Sequence, residues 1–159
     1  MLQRRQIKAS QKIRCHRFDN CSSGSWFHGG KADHSLSFSV NKPATFYGVC
    51  LFGDSDCSKY DVTLEVKNAK VSGTYTSECK SRYPWIYGYD VMLPTHISVD
   101  INEVVTMVAT IKGQRSYYGR NGRASVDVGG ATVTFTNPQE SGNDTSVKKG
   151  QFLGIILSI

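Results

Sequence analysis

The residues best suited to contact a partner lie in one segment, KGQRSYYGRNGR, residues 112–123. Arginine and tyrosine are enriched at the energetic centres of protein interfaces, so the segment suits protein binding. Rings and cations together also suit nucleic acid, because rings stack on bases and cations pair with phosphates. A structural interpretation stays open beside these two: a long hairpin in which glycines set the turn and tyrosines pack at its base. The candidate partner-binding residues of this segment are Arg115, Tyr117, Tyr118, Arg120 and Arg123.

A second aromatic segment, KSRYPWIYGYD, covers residues 80–90 and carries Tyr83, Trp85, Tyr87 and Tyr89 at alternate positions. In an extended backbone, alternate side chains point to the same face. Packing in the core of a sheet explains most of these rings, and a partly exposed groove explains the rest. We therefore add Trp85 to the candidate partner-binding residues.

Patterns that bind metals or phosphates are incomplete in this chain. The segment GDSDCSKYDVTLE places Asp54, Asp56, Ser58 and Glu65 at ligand positions of a calcium loop. Lys59, however, stands where the sharp turn of that loop needs glycine. The segment GGKADH lacks the first glycine and the hydroxyl residue of a phosphate loop. We predict no metal and no cofactor.

Catalytic motifs are also missing from the sequence. It contains neither a G-x-S-x-G nucleophile elbow nor an H-E-x-x-H metal pair. His16, His28, His34 and His96 are scattered, although a catalytic set assembled in space stays open. We predict that this domain is not an enzyme.

The positive charge is concentrated at the N-terminus. The formal net charge is +6, and residues 1–17 hold six of the 19 Lys and Arg residues and no acid. The remaining 13 basic residues balance the 13 acidic ones, so the rest of the chain is formally neutral. Residues 1–15 are predicted to be a basic tail or linker and residues 16–159 the domain. This distribution favours protein partners over nucleic acid.

The termini and the cysteines bear on localisation. The N-terminus has no apolar stretch typical of a secretory signal, and the final apolar run is roughly half of what a bilayer span needs. The five cysteines include no C-x-x-C pair and match no zinc spacing. We expect an intracellular protein without membrane insertion, whose free thiols pack as small apolar side chains.

Strand-like alternation recurs along the chain. The segment YDVTLEVK, residues 60–67, alternates apolar and polar side chains, as in a strand with one face in water. The segment ATFYGVCLF, residues 44–52, is apolar on both faces, which is typical of a central strand. Gly129-Gly130 predicts a hairpin turn, and GQFLGIILSI predicts a last strand. Short strands separated by turns, without βαβ alternation, favour one all-β domain: an antiparallel, jelly-roll-like β-sandwich.

The order of several motifs resembles that of the PHR domain. This module is named for the PAM/Highwire family of very large neuronal ubiquitin ligases and also occurs in BTB-domain adaptor proteins. The resemblance covers residues 16–159, with Trp26 among its positions. The segments that carry it are HRF, HSLSFSVNKP, FYGVCLFG, YDVTLEVK, ATIKGQRSYYG and NDTSVKKGQ. Asp144 stands where glycine is more usual, which leaves open which PHR domain this is.

The resemblance implies an antiparallel β-sandwich without catalysis of its own. We expect a protein-interaction module of a large intracellular ubiquitin ligase, recruiting substrates or partners in neuronal or synaptic regulation. The first alternative is the PHR domain of a BTB adaptor for a cullin-type ubiquitin ligase. The second is a nucleic-acid-binding β-domain that uses the basic tail and residues 112–123. Contacts are expected from loops on a rigid scaffold, here residues 53–59, 115–123 and 141–149.

Overall fold

The protein is an all-β structure. The computed structural model describes residues 11–19, 21–81, 86–138 and 145–159, although not the side chains of residues 21–23 and 31–33. Within those ranges the chain contains no helix, and so none that could cross a membrane. The described residues form the strands β1 (Ile13–His16), β2 (Cys21–Val40), β3 (Ala44–Phe52), β4 (Lys59–Val66), β5 (Ala69–Thr76), β6 (Gly88–Val99), β7 (Val105–Arg120), β8 (Ser125–Val128), β9 (Ala131–Thr136), β10 (Lys149–Gly150) and β11 (Phe152–Ser158).

The strands form two antiparallel sheets. The smaller sheet has the order β1-β11-β3-β6, and the larger has the order β5-β4-β7-β2-β9-β8, with the short β10 paired to the end of β7. Side chains from both sheets join in one apolar cluster between them. This arrangement confirms the predicted antiparallel β-sandwich.

The alternation in the sequence explains how individual strands are buried. Tyr60 and Leu64 of β4 are fully buried, whereas Asp61 and Glu65, which directly follow them, are exposed. Strand β3 lies between β11 and β6, which confirms the central position predicted for it. Its apolar residues face the main core on one side and a second cluster containing Cys50 on the other.

Two further predictions from the sequence are confirmed at strand level. The β8–β9 hairpin turns at Gly129 and Gly130, whose φ angles are 56° and 79°. Positive φ at both turn residues is the geometry that favours glycine in a two-residue hairpin. The last strand is also present, since Phe152–Ser158 forms β11 between β1 and β3.

Residues 115–120 are not the loop that the composition suggests. They continue β7, which pairs with β2 and β4 rather than folding back on itself, so the long-hairpin interpretation was wrong. Only residues 121–124 turn, with Asn121 at a φ of 59°. Composition misled because glycine within this strand has a packing role: a Cβ at Gly119 would lie 2.5 Å from the ring of Phe18.

The ordered sheet also begins inside the predicted tail. Strand β1 starts at Ile13 and pairs with β11, so residues 13–15 belong to the smaller sheet. Cys15 is buried there as a free thiol, and burial raises the pKa of that thiol to about 11. Its apolar environment explains why a sequence rich in positive charge still adds a strand at the edge of the smaller sheet.

The expectation of unpaired thiols needs one correction. Cys15 and Cys50 are free and buried, but Cys57 and Cys79 form a disulfide with a Cα–Cα distance of 4.8 Å. Strands β4 and β5 form an antiparallel hairpin, and the disulfide joins the segments that flank its open end. The spacing of 22 residues does not reveal the pairing; it follows only once the hairpin brings the two segments together.

Candidate partner-binding site

A buried polar side chain links several strands beneath the candidate site. Gln151, just before β11, is completely buried. Its Oε1 accepts hydrogen bonds from Nε1 of Trp26 at 2.7 Å and from Oγ of Ser116 at 3.2 Å. Its Nε2 donates to the carbonyl of Phe52, and its backbone N–H donates to Oγ1 of Thr145 at 3.1 Å. A buried amide satisfied in this way fixes the relative positions of the segments that it joins.

Two buried histidines extend this network. Nε2 of His28 lies 2.7 Å from Oγ of Ser116, and Nδ1 of His34 lies 2.8 Å from Oγ1 of Thr145. The two imidazole centroids are 5.6 Å apart. Although a His–Ser pair is one part of a nucleophilic site, Ser116 is fully buried and hydrogen-bonded to Gln151, so no substrate reaches it. The network is therefore structural.

An aromatic pair lies next to this network. The rings of Trp26 and Tyr118 stack with centroids 4.5 Å apart. Nζ of Lys149 lies 5.4 Å from the centroid of Trp26 and 5.0 Å from that of Tyr118. The guanidinium of Arg120 lies 5.4 Å from the Tyr118 centroid and donates a 2.7 Å hydrogen bond to its hydroxyl. Cations so close to aromatic rings are attracted by the electron-rich ring faces.

We call Trp26, Tyr118, Arg120, Lys148 and Lys149 the aromatic–cation surface. Arg120 and Lys149 come from two strands that pair directly, because Lys149 of β10 is opposite Arg120 of β7, and Lys148 immediately precedes β10. The three cationic side chains are exposed, Trp26 is half-buried, and Tyr118 is 7% exposed. Tyr118 therefore packs beneath the surface, and little of its side chain is accessible to a partner.

A buried arginine holds the segment that leads to Lys148. Arg17 is completely buried; its Nε donates to the carbonyl of Phe152 at 2.8 Å and its Nη1 to the carbonyl of Val147 at 2.5 Å. The guanidinium also lies 4.2 Å from the centroid of Phe18. Burial lowers the pKa of Arg17 to about 9. The two donated bonds fix the backbone immediately before Lys148.

The structure separates the other predicted residues. Arg115 is exposed and is tied to β2, where its Nε and Nη2 donate to the hydroxyl and the carbonyl of Ser25 at 3.0 and 2.8 Å. Arg123 forms an ion pair with Asp19. Trp85 lies outside the described residues, and the prediction for it stays a prediction.

Tyr117 lies on the opposite side of β7 from Tyr118. It is half-buried, its ring is 5.7 Å from that of Tyr87, and its backbone N–H donates to the carbonyl of Gly53. The structure thus brings Tyr118 and Arg120 together and places Tyr117 beside the loop that begins at Gly53. Partner contact by any of these residues stays a prediction.

The predicted contact loops are described unevenly. In residues 53–59, the carboxylate of Asp54 accepts hydrogen bonds from the backbone and the hydroxyl of Ser58. These bonds close an acidic turn around Asp54. Among the described residues, no group of three His, Cys, Asp or Glu side chains could hold a metal. Of residues 141–149, only 145–149 are described.

Sequence reasoning missed the residues that organise the site. The sequence presents Trp26 and Gln151 only as parts of motifs, and it argues against Lys148 and Lys149 as an anion cradle because a strand, not a helix N-terminus, follows them. The available signal was the motifs themselves, because NDTSVKKGQ, SYYG and Trp26 meet around Gln151. Those contacts join residues as far as 125 positions apart, so no local pattern could predict them.

In the described residues, exposed cations and a half-buried tryptophan lie on a sandwich held by buried polar links, an arrangement suited to recognition. The family comparison agrees: the chain matches the PHR domain over residues 16–158. The chain therefore belongs to the PHR family, as its motifs predicted. Domains of this family are interaction modules, so this domain is not an enzyme.

The curated relatives are BTB proteins. BTB/POZ domain-containing protein 3 from Mus musculus is 30% identical over 152 residues, which are 90% of this chain and 28% of that protein. BTB/POZ domain-containing protein 6 from Xenopus tropicalis is 30% identical over 153 residues, again 90% of this chain and 28% of the relative. Protein 6-B from Danio rerio is 30% identical over 147 residues, 87% of this chain and 29% of the relative. The chain spans less than a third of each.

Proposed function

We propose that this chain is the partner-recruiting domain of an intracellular BTB-type adaptor for a ubiquitin ligase. The observation that carries the proposal is its similarity, over about nine-tenths of its length, to BTB/POZ domain-containing proteins 3 and 6. These relatives favour the adaptor alternative over a domain of a very large PAM/Highwire-type ligase. We further propose that the chain recruits substrates or partners for ubiquitination in neuronal or synaptic regulation.

Within that function, the aromatic–cation surface is proposed to contact the protein partner. Its support is structural: the surface combines exposed Arg and Lys with a half-buried Trp, on strands held by the Gln151 network. Arg and Trp dominate the binding energy of many protein interfaces. A surface fixed before binding loses less conformational entropy when a partner docks.

A nucleic-acid partner is less compatible with the same contacts. Base stacking needs an aromatic face that is free in the unbound protein. Trp26 instead packs against Tyr118 and against His34, with centroids 4.5 and 5.4 Å away. Tyr118 is mostly buried. These occupied rings favour a protein partner.

Two experiments test the proposed function. The first is sequencing of the full transcript, which we expect to encode a BTB domain in the same protein. The second is co-precipitation of the full-length protein: we expect it to retain a cullin, and its substrate-side partners to be lost when Arg120 and Lys149 are both changed to Glu. A parent protein without a BTB domain contradicts the adaptor function. Partners that survive the double change contradict the use of this surface.

A further inference from the structure

The cations on and beside the aromatic–cation surface have no acidic partner in the described part of the chain. Arg115, Arg120, Lys148 and Lys149 make no ion pair with any described residue. Cationic side chains elsewhere form ion pairs with carboxylates, namely Arg14–Asp90, Lys67–Glu103, Lys70–Glu65 and Arg123–Asp19. Within the described ranges, the fold thus pairs several surface cations with carboxylates but gives this group no acidic partner.

Three of the four cations are nevertheless held in place by uncharged groups. Arg120 is bonded to the Tyr118 hydroxyl, and Arg115 to Ser25. Lys149 lies against the Trp26–Tyr118 pair. An oriented guanidinium retains N–H donors that match a carboxylate, and less side-chain freedom is lost when it binds one. The arrangement is therefore suited to bind anionic groups.

We propose that this surface binds an acidic segment of the partner protein, with several Asp or Glu carboxylates bonded to Arg120, Lys148 and Lys149. The inference rests on the proposed function and adds the chemistry of the partner. Two observations favour a peptide over a nucleic acid. Trp26 and Tyr118 stack on each other and Trp26 also packs against His34, so less of each ring is open to a base. The chain outside residues 1–17 is also formally neutral, without the broad basic field that backbone phosphates attract.

The test uses the whole chain and three fluorescent probes: a glutamate-rich peptide, the same peptide with every Glu replaced by Gln, and a single-stranded oligonucleotide. We expect the glutamate-rich peptide to bind and the Gln peptide to bind at least about tenfold more weakly. Affinity should fall as salt rises, because salt screens exposed charge pairs. Changing Arg120 and Lys149 to Gln should weaken binding by at least about tenfold, whereas changing the exposed Lys42 and Lys59 to Gln should leave it within about twofold.

Several results would overturn the inference. The first is that the Glu and Gln peptides bind equally well. The second is that the Lys42/Lys59 variant loses as much affinity as the Arg120/Lys149 variant. The third is that the oligonucleotide binds more tightly than the glutamate-rich peptide. If the Arg120/Lys149 variant unfolds, Lys148→Gln replaces it, since Lys148 is exposed and makes no ion pair with another described residue. Failure here is distinct from failure of the proposed function. Partners lost in the Glu variants, yet not displaced by the glutamate-rich peptide, would support the surface and refute its acidic ligand.

Discussion

The indole Nε1 of Trp26 donates a 2.7 Å hydrogen bond to Oε1 of Gln151. This contact joins the longest strand of the larger sheet to the residue that precedes the last strand of the smaller one. The same oxygen accepts from Ser116, while the amide nitrogen donates to the carbonyl of Phe52 in the smaller sheet. One buried amide therefore links the two sheets and also positions the half-buried Trp26 of the aromatic–cation surface.

Replacing Gln151 should destabilise the protein strongly. In Gln151→Ala, the donors of Trp26 and Ser116 and the carbonyl of Phe52 lose a partner in a buried environment. We expect a loss of about 3 kcal/mol in the free energy of unfolding, measured by urea denaturation. The matched control is Gln114→Ala, because Gln114 is exposed; its change should stay within about 0.5 kcal/mol. Equal effects of the two changes would show that the buried amide contributes nothing.

Tyr89 should be replaceable by phenylalanine at neutral pH. It is 3% exposed, stacks on Tyr60 at 5.3 Å, and its hydroxyl has no hydrogen-bond partner in the described structure. Because a buried hydroxyl without a partner costs free energy, Tyr89→Phe should be as stable as the parent or more stable by up to about 1 kcal/mol. The control is Tyr47→Phe, which removes the 3.1 Å bond to Ser158 and should lose about 1 kcal/mol. Urea denaturation at pH 7 distinguishes the two outcomes.

The same variant should change the response to alkaline pH. Burial, with smaller contributions from Tyr60 and Tyr75, raises the pKa of Tyr89 well above its usual value. The folded protein therefore keeps a proton that the unfolded chain releases near pH ~10, so stability falls as pH rises above that value. In Tyr89→Phe the fall above pH ~10 should be shallower. Parallel pH profiles for the variant and the parent would contradict this linkage.

Gly119 should not tolerate a methyl group. Its Cβ would lie 2.5 Å from the ring carbons of Phe18, a buried residue of the second apolar cluster. Gly119→Ala should therefore cost about 1–3 kcal/mol through overpacking, measured as a lower Tm and a lower free energy of unfolding. Gly29→Ala is the control, because its nearest neighbouring atom would be 3.8 Å away, on Phe27. A stability loss in Gly29→Ala as large as in Gly119→Ala would indicate an effect of glycine replacement in general.

Local patterns predicted the strands in which alternate side chains are buried and exposed. Tyr60, Val62, Leu64 and Val66 alternate with polar residues, and all four are buried in β4. The continuation of β7 through residue 120 could not be predicted in this way. In the sequence Gly119 looks like a turn residue, whereas in the structure it lies within the strand, where the ring of Phe18 leaves no room for a Cβ. Periodicity reports which face is buried, whereas a close ring contact across the sandwich leaves no local trace.

The site was less predictable than the fold for the same reason. Arg120 and Tyr118 could be chosen from composition, but Lys149 joins them only because β10 pairs with the end of β7. Gln151 looks like an ordinary polar residue ahead of an apolar strand, and its burial depends on donors from other strands. The resemblance of the motifs to the PHR domain indicated only indirectly that these residues lie close together.

The Cys57–Cys79 disulfide should make stability depend on redox conditions. The bond closes a loop with a sequence separation of 22 residues, for which the chain-entropy model gives about 3 kcal/mol of stabilisation. We expect urea denaturation with a thiol reductant to lower the free energy of unfolding of the parent by about that amount. Cys57→Ser should show the lower free energy of unfolding with and without reductant, because serine at residue 57 cannot form a disulfide with Cys79.

Mass spectrometry after alkylation without reductant should find Cys57 and Cys79 protected in the parent. Because reducing compartments disfavour disulfides, the protein should populate the less stable form in such a compartment. A parent protein that ignores the reductant, with both cysteines alkylated from the start, would contradict the prediction.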